Sequence, residues 1–166
     1  MRTNITMTDF NEILKTAQKW RKDTAKIIDS YYLEIDGTVE IEGIAEGVSK
    51  CATYKDSWEY RDRLEEMRGS MYKLHKAYAR NLAESKEAYD EGMRYSMASV
   101  NNAGGTAWQE RQAKYETANI TTYKILHNFE RLINDIENFN KYLFGRLTWV
   151  KDRQYWLQTM EKNSRE

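Results

Sequence analysis

With 166 residues, 26 basic and 26 acidic, the chain has a formal net charge of zero, so any nucleic-acid or anionic-surface site must be a local patch rather than a global polycation. A hydrophobic fraction of 40% beside 31% charge, with mean hydropathy −0.88, describes long amphipathic helices better than a thick globule. The single Cys51 excludes an internal disulfide and fits a reducing cytoplasm, and no apolar run approaches the roughly 20 residues that cross a bilayer. The N-terminal MRTNITMTDFNEIL also lacks an apolar core of signal-peptide length, so a soluble cytoplasmic protein is expected.

Proline is absent and glycine is sparse after Val48, so helices meet few breakers. From Thr8, a candidate N-cap, Phe10, Ile13, Leu14, Ala17, Trp20, Ile27, Ile28 and Tyr31 recur at helical spacing and predict a first helix. An acidic connector follows, with Glu34, Asp36, Glu40, Glu42 and Glu46. Within it Asp36-Gly37 separates the alternating runs YYLEI and TVEIE, which signals a short hairpin near 32–42, in competition with a loop or a helix start.

From Val48 to about Tyr89, Cys51, Tyr54, Trp58, Leu64, Met67, Met71, Leu74, Tyr78, Leu82, Ser85 and Tyr89 mostly alternate in steps of three and four, a coiled-coil-like seam. Ser99, Asn101, Asn102, Gly104 and Gly105 then form a connector, and Thr106 caps a final helix from Ala107 to about Met160. In that helix Leu126, Phe129, Ile133, Ile136, Leu143, Leu147 and Val150 make the seam expected to carry oligomerisation. Asn140 interrupts the seam; it either sets register or, with Asn138 and Phe139, marks a bend or break. The expected fold is all-α: long amphipathic helices in a coiled-coil-like, homo-oligomeric bundle. Residues 1–47 supply the N-terminal helix and acidic connector, and 48–166 a long helical hairpin, within one domain overall.

Catalytic signatures are missing. His75 and His127 lie in no HExxH context, and there is no CxxC, GxSxG, GxxxxGK[ST] or GxGxxG. Acid pairs such as Glu65 with Glu66, or Glu84 with Glu87, lack an accompanying ExxH, so neither enzyme activity, metal nor cofactor is expected. The aromatic residues Tyr54, Trp58, Tyr142 and Trp149 fall on or beside seams and are read as core or subunit interface.

The positive signal is electrostatic. Met67 to Ala83 carries Arg68, Lys73, Lys76 and Arg80 and no acid. Arg68, Tyr72, Lys76 and Arg80 follow at i+4 and form a stripe beside the seam. Such a face suits single-stranded nucleic acid, with cations on phosphates and Tyr72 stacking on a base. The competing reading lays these stems over the seam and pairs them with acids on a neighbouring helix. A second mixed patch holds Lys141, Arg146, Lys151 and Arg153 with Tyr142, Phe144 and Trp149, interrupted by Asp152.

The order of features resembles a known family. Trp20-Arg21-Lys22-Asp23, Ile28-Asp29, Val39-Glu40-Ile41, then Tyr54 and Trp58 opening a basic helix that ends in Tyr89-Asp90-Glu91-Gly92, is similar to the N-terminal half of the T-even phage recombination mediators of the UvsY family. Ile133, Ile136, Asn138, Leu143, Leu147 and Trp149 resemble that family's last helix, although its Arg-Gly pair is replaced near Phe139 and Asn140. The resemblance implies a non-catalytic homo-oligomeric ring in the host cytoplasm. The ring would bind single-stranded DNA and help a phage recombinase displace the single-strand binding protein. It places the DNA contacts on Lys73, Lys76, Arg80 and Lys86. The alternative class is a helical protein-interaction module, such as a phage assembly scaffold, adaptor or host-system inhibitor, with Glu34 to Glu46 as its contact or as a DNA mimic.

Overall fold

A computed structural model describes residues 7–36, 50–102 and 119–165. The regular elements among them are all α-helices: α1 (Met7–Asp36), α2 (Tyr54–Asn102) and α3 (Ile120–Ser164). The fold is therefore all-α, as the spacing and the absence of proline require. No described helix is long and apolar enough to cross a membrane.

Local chemistry sets the starts of α2 and α3. Thr53 is the N-cap of α2: its Oγ1 accepts from the Asp56 N–H at 3.1 Å and its carbonyl accepts from the Ser57 N–H at 3.0 Å. Asp56 in the first turn meets the positive end of the helix dipole. At α3 the Asn119 carbonyl accepts from the Tyr123 N–H at 3.0 Å and from Thr122 Oγ1 at 2.8 Å.

Several boundaries differ from expectation. The first helix begins at Met7, so Thr8 lies inside it and does not cap it. It continues to Asp36, which makes 32–36 of the expected hairpin helical; 37–42 lie outside the described residues. The reason is packing: Ile35 is buried and Tyr32 meets Phe139 edge-on at 4.9 Å, so the 3-and-4 spacing prevails over the alternation. In α2 the helix runs through Ser99, Asn101 and Asn102, while Gly104, Gly105, Thr106 and the expected start at Ala107 lie outside the described residues. α3 passes unbroken through Asn138, Phe139 and Asn140.

Among the described residues, packing resolves into two compact units, each taking a segment from every helix: residues 7–24 with 76–102 and 119–134, and residues 25–36 and 50–75 with 135–165. In the first, Ala17, Ile125 and Phe129 form a buried cluster closed by Phe10, Leu14, Trp20, Tyr78 and Leu82. The Trp20 ring lies 5.6 Å from Tyr78 and 6.2 Å from Phe129.

In the second unit Leu64, Met67 and Met71 of α2 and Ile136, Phe139, Leu143 and Val150 of α3 are all fully buried. Each such side chain contributes about 1.5–3 kcal/mol of hydrophobic stabilisation. Phe139, not Asn140, occupies the α3 seam. The α1 segment closes over it with Tyr31 and Tyr32, 5.8 and 4.9 Å from the Phe139 ring. A two-pronged pair joins Arg63 of α2 to Glu34 of α1, Nε to Oε1 at 2.6 Å and Nη2 to Oε2 at 2.8 Å, and Lys50 Nζ donates to the Glu34 carbonyl.

Candidate nucleic-acid interface

In the second unit the α2 and α3 segments run antiparallel, because His75 meets Glu137 while Arg61, earlier in α2, meets Gln154, later in α3. The buried seam of α2 turns Arg68, Tyr72 and His75, spaced four and three apart, onto one flank. The α3 seam likewise turns Glu137, Asn140, Lys141 and Phe144 toward them. These seven residues line a groove of about 580 Å³.

Its contents are two rings, two permanent cations and a histidine–carboxylate pair. Tyr72 and Phe144 are each 66% exposed, one from each helix. Arg68 Nη1 lies 3.7 Å from Glu65 Oε2, an exposed pair that salt and water weaken. Lys141 is exposed and forms no ion pair among the described residues. His75 Nε2 sits 3.2 Å from Glu137 Oε1. Asn140 Oδ1 is buried without a partner. An exposed phenyl ring beside a tyrosine, each next to a cation, presents stacking faces with phosphate-binding groups beside them.

The structure places the expected DNA-binding residues unequally. Arg68 and Tyr72 line the groove; Lys73 is exposed but outside its lining. Lys76, Arg80 and Lys86 lie exposed on the α2 segment of the first unit, where Arg80 pairs with Glu84 of its own helix at 3.2 Å. Both arginine pairs are thus within α2, not across to a neighbouring helix.

Arg68 and Tyr72 share this groove with Lys141 and Phe144, a grouping that neither helix's own spacing shows. The second mixed patch is divided by the α3 seam. Lys141, Phe144 and Lys151 share one flank, and Tyr142, Arg146, Trp149 and Arg153 follow one another at helical spacing on the other. On that other flank Arg146 Nε donates to Tyr142 Oη at 3.3 Å, and Tyr142 packs on Tyr32 of α1 at 4.9 Å. The antiparallel register, had it been known, would have grouped the groove residues.

The seven seam residues expected to join copies, Leu126, Phe129, Ile133, Ile136, Leu143, Leu147 and Val150, are buried in the single chain, none more than 8% exposed. They pack inward. Trp58, expected in a core or interface, is 42% exposed, and the adjacent Ser57 is buried instead. Tyr54, its neighbour at 6.2 Å, is half-buried.

Elsewhere in the second unit, burial pushes the Cys51 thiol above its ordinary range, although Arg153 nearby favours the thiolate. The hydrogen bond from Arg63 holds the Glu34 carboxyl below its usual range against the opposing effect of burial. In the first unit an open apolar groove of about 370 Å³ is lined chiefly by Phe10, Ile13, Trp20, Ala88, Ile125 and Phe129. No protein-family model matches this chain, and no curated protein or solved structure matches it.

Proposed function

We propose that the protein is a non-catalytic single-stranded-DNA-binding protein that acts as an oligomeric recombination mediator and helps load a phage recombinase. The observation that carries the DNA-binding part is the groove of the second unit, where Tyr72 and Phe144 offer rings beside Arg68 and Lys141. Stacking on exposed rings is tolerant of sequence, and cations beside them take the phosphates, which is the chemistry of a single-strand binder. The assembly and the partners, namely a recombinase and a single-strand binding protein, rest on the resemblance to UvsY-type mediators. Association of copies would multiply one weak groove into a useful site.

The test is a fluorescence-anisotropy titration of labelled single-stranded DNA across a salt series. Replacing Arg68 and Lys141 with Gln should weaken binding and lower the salt slope by about 1.4, the value for two phosphate contacts on a single strand. Tyr72→Ala and Phe144→Ala should each cost about 1–3 kcal/mol of binding. Unchanged affinity and slope in the Arg68/Lys141 variant would reject the site. A second reading, a helical protein-interaction module, is favoured by the apolar groove of the first unit. It expects no oligonucleotide affinity at physiological salt.

A further inference from the structure

The flank that forms the groove continues along both helices. On α2, Trp58, Arg61, Glu65, Arg68, Tyr72 and His75 follow in strict steps of three and four; on α3, Glu137, Lys141, Phe144, Thr148, Lys151 and Tyr155 do the same. Since Arg61 Nη1 donates to Gln154 Oε1 at 3.1 Å, the antiparallel register sets Trp58 and Arg61 near the α3 turn that carries Lys151 and Tyr155. The far end of the flank therefore repeats the groove's chemistry: one ring and one cation from each helix. Trp58 is 42% and Tyr155 75% exposed.

Arg61 is held ready at this end. Its guanidinium carbon lies 4.8 Å from the Trp58 ring centre, and its buried partner is an amide where a carboxylate would have cancelled its charge. Arginine cannot accept a hydrogen bond, so the Gln154 oxygen must be the atom facing it, which leaves Gln154 Nε2 as a buried donor without a partner. Arg61 makes no ion pair among the described residues, and neither does Lys151. Glu65, between the two ends, pairs with Arg68 and is the acid on the α2 stripe.

We infer that Trp58, Arg61, Lys151 and Tyr155 form a second contact for the same single strand. It lies about 20 Å along the helices from the Tyr72–Phe144 groove, at 1.5 Å per residue. The inference rests on the single-strand-binding reading of that groove and adds its extent. Two weak contacts on one strand act together only when the strand is long enough to reach both.

The experiment compares oligothymidylates of about 5 and about 15 nucleotides, within the range of single-strand site sizes. It uses the full-length protein, the Trp58→Ala/Arg61→Gln variant and the Arg68→Gln/Tyr72→Ala variant, with thermal melts as a folding control. Wild type should bind the longer strand at least tenfold tighter than the shorter. The Trp58/Arg61 variant should lose most of that gain and keep its short-strand binding through the groove. Gln154→Glu, which places a carboxylate against Arg61, should reproduce the loss with every ring in place, and so keeps the test valid if the double variant unfolds. If only the Arg68/Tyr72 variant weakens binding, the second contact is rejected and the groove stands. If only the Trp58/Arg61 variant does, the groove is rejected and the second contact stands. Binding of both strands untouched by either variant, or absent in wild type, overturns both.

Discussion

α2 is one continuous helix, yet its two segments pack differently. Between Tyr54 and His75 it places Ser57, Leu64, Met67 and Met71 in full burial. From Lys76 onward none of its described side chains is fully buried. The 3-and-4 spacing persists through Tyr78, Leu82, Ser85 and Tyr89, so what changes is volume and polarity. Ser85 and Ala88 stand on the inward face where the other unit has Leu and Met, and both line the apolar groove of the first unit together with Ile125 and Phe129. Spacing selects the face that turns inward; side-chain bulk decides whether that face closes.

The contrast is most directly broken by truncation. Phe139→Ala, at a fully buried site, should lower stability by about 3–5 kcal/mol, whereas Tyr78→Ala, at a partly buried one, should cost about 1–2 kcal/mol. Urea denaturation of the two variants measures this, and equal losses would show both units to be closed alike. Filling the open unit tests the same point from the other side: Ala88→Leu should raise stability by about 1 kcal/mol through added apolar burial, read as a higher urea midpoint.

Helical glycines sharpen the comparison on a smaller scale. A Cβ at Gly69 or Gly145, both in the second unit, meets nothing within 4 Å, so alanine there should stabilise by about 0.5–1 kcal/mol per site. At Gly92, in the first unit, a Cβ would lie 2.5 Å from Asn119 Oδ1, and Asn119 is buried beside the start of α3. The shift it forces should cancel the helical gain, leaving the melting temperature unchanged or lower. A rise equal to that of Gly69→Ala would show Asn119 free to move.

The smallest effect is electrostatic and belongs to the second unit. Because Arg63 depresses the Glu34 carboxyl, the pair contributes stability above that group's unfolded pKa and loses it as pH falls through the depressed folded value. The side chains are 43% and 44% exposed, so screening limits the contribution to about 0.5 kcal/mol. Glu34→Gln should remove that much at neutral pH and nothing in strong acid. A constant difference across the pH range would assign the effect to packing of the side chain rather than to its charge.

Much of the architecture was legible. The helices follow from the lack of proline and from periodic apolar residues, and the cationic, tyrosine-bearing stretch around Arg68 and Tyr72 stood out because acids are missing from it. What spacing could not separate was adjacent residues. Trp58 against Ser57, and Asn140 against Phe139, differ by one position and about 100° of rotation, which a 3-and-4 pattern tolerates.

The linear order of residues thus determined that this chain is helical, where its amphipathic faces run, and that its basic residues cluster in the middle of α2. Tertiary packing alone decided which member of each adjacent pair went inside, and it set Lys141 and Phe144 of α3 beside Arg68 and Tyr72. The physical reason is that burial depends on the combined volume of three facing helices. The register that matches those volumes across α2 and α3 is a property of their contact, written in neither helix by itself.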